Sequence, residues 1–105
     1  MATKRKAPAA PELPYVVVRD HRSGVYAGRL EHHNQIAKTA ILLDARKIWF
    51  WKGRLDTGDI ALRGVGEGSK MVDPVPRKDL NEVVDVSYTS AAGEAALKAF
   101  ASWRA

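Results

Sequence analysis

The sequence predicts a mainly β protein of the α+β class, with a small, strongly bent antiparallel sheet and one C-terminal helix. Short segments rich in valine, isoleucine and aromatic residues alternate with glycine- and proline-containing turns, a pattern typical of antiparallel strands. Gly28 interrupts one of these segments and the charged residues 44–47 interrupt another, which indicates strands that bend. An alanine-rich segment at residues 91–104 predicts the helix.

The length of 105 residues, of which 46% are hydrophobic and 28% charged, is typical of one globular domain. Residues 1–14 combine prolines with a basic run and contain too few apolar side chains to form a packed core. We therefore expect a flexible basic arm over residues 1–14 and a single domain over residues 15–105. Within the domain we expect strands to about residue 88 and the helix over about residues 91–104.

Composition excludes several classes of function. The chain has no cysteine, which excludes disulfides, thiolate catalysis and cysteine-ligated zinc. No apolar run approaches the length of a membrane span and nothing resembles a signal peptide, so we expect a cytoplasmic protein without a membrane partner. The net charge of +5 favours anionic partners, but much of it lies in the basic arm, which leaves the domain only slightly basic.

The first part of the domain predicts a β-hairpin. Residues 15–19 are β-branched and predict a strand, and residues 25–30 predict the strand that returns beside it. Gly24, in the intervening turn, can adopt the positive φ that tight hairpins need. Gly28, inside the second strand, indicates a bend or a close approach of another backbone segment.

Residues 31–38 predict a polar connection to the next strand. They include His32 and His33, which as neighbours on a strand would point to opposite faces. No third ligand follows at the spacing of a metal site. We therefore expect no metal and no cofactor.

The segment ILLDARKIWFW, residues 41–51, predicts the central strand of the sheet. Strict alternation places its odd-numbered residues on one face and its even-numbered residues on the other, and both faces are apolar at the ends and charged in the middle. This pattern favours a long strand covered on both faces, with a bend near residues 44–47. The cover for the second face would be the terminal helix, a second subunit or a ligand. A domain of this size buries only about 60–65% of its unfolded surface, so we expect a homo-oligomer.

The second half of the domain predicts less regular structure. Residues 59–64 predict a short strand, and the glycine-rich loop that follows lacks the lysine and hydroxyl residue of a phosphate-binding loop. Residues 71–76 contain two prolines and predict an extended segment that is poor at sheet pairing. Residues 77–81 predict a helical turn, and residues 82–88 predict the last strand.

The C-terminal helix, residues 91–104, follows Thr89 and Ser90, which can cap its N-terminus. Its apolar stripe has three- and four-residue spacing and consists of Ala96, Leu97, Phe100 and Trp103. Such a stripe packs on the sheet of the same chain or on a neighbouring subunit.

Two resemblances to known families follow from these segments. Residues 24–30 (GVYAGRL) and 40–45 (AILLDA), with the polar connection between them, resemble the two-strand signature of SH3-like and Sm-like small barrels. This short match implies a strongly bent sheet that closes into an SH3-like barrel.

A longer resemblance is to a family of small bacteriophage proteins with an Ala-Arg-Arg-Leu-Trp-Tyr-Trp-like core. The matching segments here are residues 15–19, residues 23–30, the sequence ARKIWFW at residues 45–51 and the sequence LRG at residues 62–64. The chain departs from the family pattern at Asp20, Ser23, Lys47 and Phe50. The resemblance implies phage origin and, with it, the cytoplasm of a host cell.

Arginine and tryptophan side chains supply the candidate site. Guanidinium groups bind phosphate through paired hydrogen bonds, and indole rings offer flat faces on which a base can stack. We therefore predict a ligand-binding site formed by Arg19, Arg46, Trp49, Trp51 and Arg63. The alternative interpretation places the tryptophans in the core and the arginines on the surface.

These residues favour binding over catalysis. No serine has a nucleophile context and no carboxylates form a pair with divergent pKa values, so we expect no enzyme. The preferred function is a homo-oligomeric phage protein that sequesters a nucleotide-type small molecule, such as an immune signal, in a pocket lined by arginine and tryptophan. This preference rests on an analogy with a class of phage proteins. The alternatives are a module that binds single-stranded nucleic acid and a phage structural or interaction protein.

Overall fold

A computed structural model describes residues 13–104. Its elements are β1 (Tyr15–Asp20), β2 (Gly24–Asn34), β3 (Thr39–Phe50), α1 (Thr57–Arg63), β4 (Lys70–Met71), β5 (Val75–Leu80), β6 (Val83–Tyr88) and α2 (Ala91–Ala99). The predicted α+β fold, mainly β and ending in a helix, is confirmed. Residues 1–12 of the predicted arm lie outside the described residues. Leu13 and Pro14 are attached to the sheet, because their carbonyl oxygens accept hydrogen bonds from β2.

The strands form one antiparallel sheet in the order β4-β3-β2-β1-β6. The fifth strand, β5, pairs with the first half of β3, while β4 pairs with the second half. β5 and β6 therefore lie at opposite ends of the strand order, yet only Asn81 and Glu82 join them. The sheet has to bend strongly for its ends to meet in this way. Gly28 and the charged interruption at residues 44–47 predicted such a bend.

The bend in β3 lies at Asp44, whose φ is +51°. Here β3 contains one residue more than β2, which makes a β-bulge. Gly28 lies opposite the bulge, where a Cβ atom would come within 2.9 Å of the Leu43 carbonyl oxygen. The extra residue inverts the alternation, so that Leu42 and Ala45 pack in the same core. The prediction of strict alternation along residues 41–51 was therefore wrong beyond Asp44.

The two faces of the sheet carry separate apolar cores. The core beneath the two helices includes Val17, Ala27, Ile48, Ile60 and Leu97. The core enclosed by the bend of the sheet includes Val16, Val18, Leu30, Leu42 and Leu80. Both faces of β3 are thus covered as far as Ile48, as predicted, and one chain provides both covers. Trp49 and Phe50, at the end of the strand, remain exposed. Most of β3 therefore lacks the uncovered face that motivated the expected homo-oligomer.

The predicted strand at residues 59–64 is instead the helix α1. The Asp56 carboxylate accepts the backbone N–H of Asp59 and caps the N-terminus of the helix. Gly64, with a φ of +78°, ends the helix, and its N–H donates to the Ile60 carbonyl. These local signals outweigh the short apolar run that favoured a strand.

Two strands extend into segments for which the sequence predicted other structure. Residues 77–81 were predicted as a helical turn, but all except the last of them belong to β5. Pro76 is tolerated there because β5 pairs with a single neighbour, β3, and so has a free edge. β2 runs to Asn34, which shortens the predicted polar connection to a turn at residues 35–38.

The helix α2 ends at Ala99, five residues before the predicted end at residue 104. Phe100 is already extended, and the segment after it runs beside β4, where Ser102 and Met71 form a parallel bridge. Leu97 is fully buried, as the stripe predicted. Trp103 is not part of the apolar stripe of α2, because it belongs to the extended segment that follows the helix.

Candidate functional site

The five predicted site residues lie in four different environments. Arg46 is buried beneath α2, Arg63 lies on the exposed side of α1, and Trp49 stacks on another tryptophan. Arg19 and Trp51 are brought together at the wall of one cavity. The structure therefore brings two of the five predicted residues to one cavity.

Arg46 is only 4% exposed, and its guanidinium donates within the chain. Its Nε atom donates to the Val72 carbonyl at 2.9 Å and its Nη1 atom to the Leu97 carbonyl at 2.8 Å. Its Nη2 atom reaches the Ser102 hydroxyl at 3.3 Å. Arg46 thus ties α2 and the C-terminal segment to the sheet, a structural position that replaces the predicted ligand-binding one.

Arg29 is a second buried arginine that holds α2, and the sequence analysis did not single it out. It donates to the Glu94 carboxylate at 2.6 Å and to the Leu13 carbonyl at 3.0 Å, and it lies over the Tyr15 ring. Burial raises the pKa of the Glu94 carboxyl, but hydrogen bonds from Arg29 and Lys98 outweigh this effect and lower it overall. Arg29 and Arg46 together fix the helix on the sheet.

Arg63 forms an ion pair with Asp59 one turn earlier in α1, and its side chain is 62% exposed. Surface pairs of this kind contribute little to stability. Arg63 does not line the cavity that contains Arg19 and Trp51. It therefore serves below as a control position.

Trp49 is 55% exposed and stacks on Trp103, with ring centres 5.1 Å apart and planes 18° apart. The Lys70 ammonium lies 5.4 Å from one ring centre and 4.8 Å from the other. Because these three distances are nearly equal, Lys70 lies beside the stack and not over the outer face of either ring. We call this group the Trp49–Trp103 stack.

The cavity that contains Arg19 and Trp51 has a volume of about 520 Å³. This size falls within the range of small-molecule sites, and the cavity is open to solvent over much of its rim. We call it the Arg19–Trp51 cavity; it is lined by Arg19, Asp20, His21, Gly24, Val25, Trp51 and Val84.

The wall of this cavity is held in place by Asp20, at the end of β1. Its carboxylate accepts the backbone N–H groups of Arg22 at 2.9 Å, Ser23 at 2.8 Å and Glu82 at 2.9 Å. These bonds fix the β1–β2 turn and the link between β5 and β6. Burial raises the pKa of the Asp20 carboxyl, but the three N–H donors outweigh burial and lower it.

The hydrogen bonds of Asp20 predict a pH-dependent contribution to stability. Because its folded pKa is depressed, this contribution is present above the unfolded pKa of about 3.9 and is lost as the pH falls through the folded pKa. We expect Asp20→Asn to lower the free energy of unfolding at pH 7 by about 1–3 kcal/mol. Urea unfolding of both proteins from neutral to acidic pH measures this difference. A difference that stays constant down to the lowest pH would contradict the assignment.

Arg19 presents an exposed cation to the cavity. Within residues 13–104 its guanidinium forms no ion pair, although Asp85 is its neighbour across the β1–β6 ladder. Trp51 is half-buried and packs against the core beneath the helices, which fixes its ring. His21 adds an exposed imidazole. A cation, an indole and an imidazole around one cavity suit a ligand with both a flat ring and a negative charge.

A second cavity, of about 570 Å³, lies between β6 and the β2–β3 hairpin. Its polar side chains include His33, Lys38 and Asp85, and its apolar ones include Val84 and Tyr88. It contains neither an arginine nor a tryptophan. We prefer the Arg19–Trp51 cavity because it alone of the two combines a guanidinium with an indole.

The model of the family DUF6948, a domain of unknown function, matches residues 13–97. The chain belongs to this family. No curated protein and no solved structure matches the chain. Within residues 13–104, the longest apolar helical stretch is too short to cross a membrane, and no cluster of three histidine or acidic side chains is placed to hold a metal ion.

Sequence reasoning on this DUF6948 chain missed His21 as a lining residue. His21 lies between the two strands predicted for residues 15–19 and 25–30, and its backbone N–H donates to the Glu82 carbonyl, which fixes it at the mouth of the cavity. The only local signal was its position two residues after Arg19. The long-range contact between this turn and the segment after β3 left no pattern in the sequence.

Proposed function

We propose that this chain is a phage-encoded, non-enzymatic protein that sequesters a nucleotide-type small molecule in the Arg19–Trp51 cavity. Arg19 binds a phosphate group of the ligand, and the ring of Trp51 contacts its base. The protein needs no cofactor for this function. An immune-signalling nucleotide is the preferred ligand, because phage proteins of similar size sequester such molecules.

The observation that carries the proposal is that Arg19 and Trp51 line the same cavity. The two residues are 32 positions apart in the sequence and line one cavity of a suitable volume. Trp51 is fixed by packing, so its ring requires little ordering when a ligand binds. Arg19 has no ion-pair partner within residues 13–104, so its donors are available to a phosphate.

The proposed protein is a homo-oligomer, and the open rim of the cavity supports this part of the proposal. Small-molecule sites usually bury most of the ligand surface, and one chain encloses this site only in part. A second subunit placed over the rim would complete the enclosure. Light scattering at micromolar protein concentration tests this step, and a monomer mass in the presence of saturating ligand would contradict it.

We expect Arg19→Gln to weaken nucleotide binding at least about tenfold, because it removes a charge-assisted contact to phosphate. Calorimetry with ADP-ribose and with a cyclic dinucleotide measures the change. Arg63→Gln is the matched control, since it removes the same charge outside the cavity, and we expect its affinity to match that of the wild type. Equal losses in both variants would contradict the site, and no binding of any nucleotide by the wild type would overturn the function.

The Trp49–Trp103 stack favours a second candidate function, binding of single-stranded nucleic acid. Exposed aromatic rings beside an ammonium group are the usual platform for unpaired bases. A strand that contacts many phosphates loses affinity steeply between about 50 and 200 mM salt, whereas a small nucleotide loses little. Tight, salt-sensitive binding of an oligonucleotide that requires Trp49 and not Arg19 would favour this alternative. Binding of neither ligand would favour a structural or interaction protein.

A further inference from the structure

The Arg19–Trp51 cavity adjoins two further cavities along β6. The first of these has a volume of about 340 Å³ and shares His21 and Val84 with the Arg19–Trp51 cavity. The second is the cavity of about 570 Å³ between β6 and the β2–β3 hairpin, which shares Lys38 and Val84 with the 340 Å³ cavity. Val84 lines all three. The three cavities therefore form one surface groove, which we call the β6 groove.

An aromatic ring lies at each end of the β6 groove. Trp51 lines the first of the three cavities and neither of the others, and Tyr88 lines the last and neither of the others. Tyr88 is 61% exposed and lies four residues after Val84 on β6, which is about 13 Å along an extended strand. A ligand confined to the Arg19–Trp51 cavity therefore leaves the ring of Tyr88 without a contact.

Basic side chains line the groove between the two rings. Arg19 lines the first cavity, His21 the first and the middle one, Lys38 the middle and the last one, and His33 the last. All four are exposed, and none of them forms an ion pair within residues 13–104. Each cavity of the groove thus offers at least one basic donor to a phosphate.

The acidic side chains of the groove already accept hydrogen bonds from the chain itself. The Asp20 carboxylate accepts three backbone N–H groups, and the Glu82 carboxylate pairs with Arg22 at 2.8 Å. The Asp85 carboxylate accepts the Thr57 hydroxyl at 3.4 Å. The donors that remain for a ligand are therefore those of the basic side chains.

The backbone of the β2–β3 hairpin is anchored to β6 at Lys38. Its carbonyl accepts the backbone N–H of Val83 at 2.9 Å, and its φ of +62° turns the chain at this point. The Asn34 side chain accepts the N–H of Ala37 and holds the same turn. The Lys38 side chain is thus attached to a fixed backbone beside β6.

We propose that the ligand of the β6 groove is a dinucleotide, with its first base on Trp51, its phosphates along the basic side chains and its second base on Tyr88. This inference rests on the proposed function and adds the class of nucleotide. A mononucleotide fills the Arg19–Trp51 cavity alone. A second base gains a stacking contact with Tyr88, and the linking phosphates gain the charge-assisted donor of Lys38.

The test is calorimetry of the full chain with ADP and with diadenosine diphosphate, at constant ionic strength. The dinucleotide carries less negative charge than ADP, so tighter binding of it reports the second adenosine and not the charge. We expect it to bind at least about fivefold more tightly than ADP. Tyr88→Ala should remove this advantage and leave the affinity for ADP unchanged, whereas Tyr88→Phe keeps the ring and should retain the advantage.

Two further variants separate this inference from the proposed function. Lys38→Gln should weaken binding of the dinucleotide severalfold more than binding of ADP, and Arg19→Gln should weaken both. Melting curves without nucleotide confirm that each variant folds.

Equal affinity of the wild type for ADP and the dinucleotide would overturn this inference and leave the proposed function standing. An equal loss of both ligands in Tyr88→Ala would also overturn it. If the wild type binds neither, the inference falls, and the calorimetry with ADP-ribose and the cyclic dinucleotide decides separately whether the proposed function stands.

Discussion

Replacement of Arg46 by methionine is expected to lower the free energy of unfolding by about 2–4 kcal/mol. Methionine fills a similar volume, but it leaves the carbonyls of Val72 and Leu97 without the donors that Arg46 supplies. Part-buried acceptors that lose their donors incur a desolvation cost, and α2 loses its tie to the sheet. In a domain of this size the melting temperature should fall by at least about 8 °C.

Arg63→Met is the control for this experiment. It removes an arginine that the sequence analysis assigned to the same site, but whose side chain is 62% exposed and pairs only with Asp59. We expect a change within about 0.5 kcal/mol, as for other surface substitutions. Urea unfolding of the three proteins measures both effects. Similar stability of Arg46→Met and Arg63→Met would contradict the structural position of Arg46.

Gly93→Ala is expected to destabilise the protein by about 1–3 kcal/mol, although alanine is the better helix former. Gly93 lies where α2 crosses α1, and a Cβ atom there would come within 2.0 Å of the Ala61 carbonyl oxygen. That oxygen accepts the backbone N–H of Ser90, so the helices cannot separate without loss of this bond. The clash therefore outweighs the gain in helix propensity.

Gly58→Ala is the matched substitution, in α1. A Cβ atom at Gly58 would meet its nearest neighbour, Asp56 Oδ1, at 3.4 Å, an ordinary contact. Alanine should therefore stabilise the protein there by up to about 1 kcal/mol. Thermal unfolding measures both variants. Stabilisation by both substitutions would show that the two helices are not packed through Gly93.

The central strand and its bend could be predicted because their signals are local. An apolar run on both faces indicates a strand with two covers, and the structure places Ile48 in one core and Leu42 in the other. Gly28 signalled a close backbone approach, and it lies opposite the bulge at Asp44. The local order of the residues alone carried these features.

The orientation of Arg46 could not be predicted, because it depends on the bulge. Strict alternation grouped Arg46 with Leu42, whereas the extra residue at Asp44 turns Arg46 toward α2. A bulge shifts every later side chain to the other face, and a strand pattern does not show where the extra residue lies. Arg29 could not be predicted for another reason, because its partner Glu94 is 65 residues away in the sequence.

The helix α1 was predictable from signals that were present in the sequence. Asp56 stands three residues before Asp59, and Gly64 follows the last helical residue, which together are typical start and stop signals. The short apolar run between them has no period long enough to separate helix from strand. The capping residues Asp56 and Gly64 indicate a helix, and they are the stronger signal in this segment.

The Arg19–Trp51 cavity is tested most directly by the fluorescence of Trp51 alone. A variant with Trp49→Phe and Trp103→Phe retains Trp51 as its single indole. Titration with the nucleotide that binds the wild type should change its fluorescence saturably, and adding Arg19→Gln should weaken this response at least about tenfold. If the variant binds nucleotide by calorimetry without a change in Trp51 fluorescence, or if a Trp51→Phe variant shows the wild-type response, the ligand does not occupy this cavity.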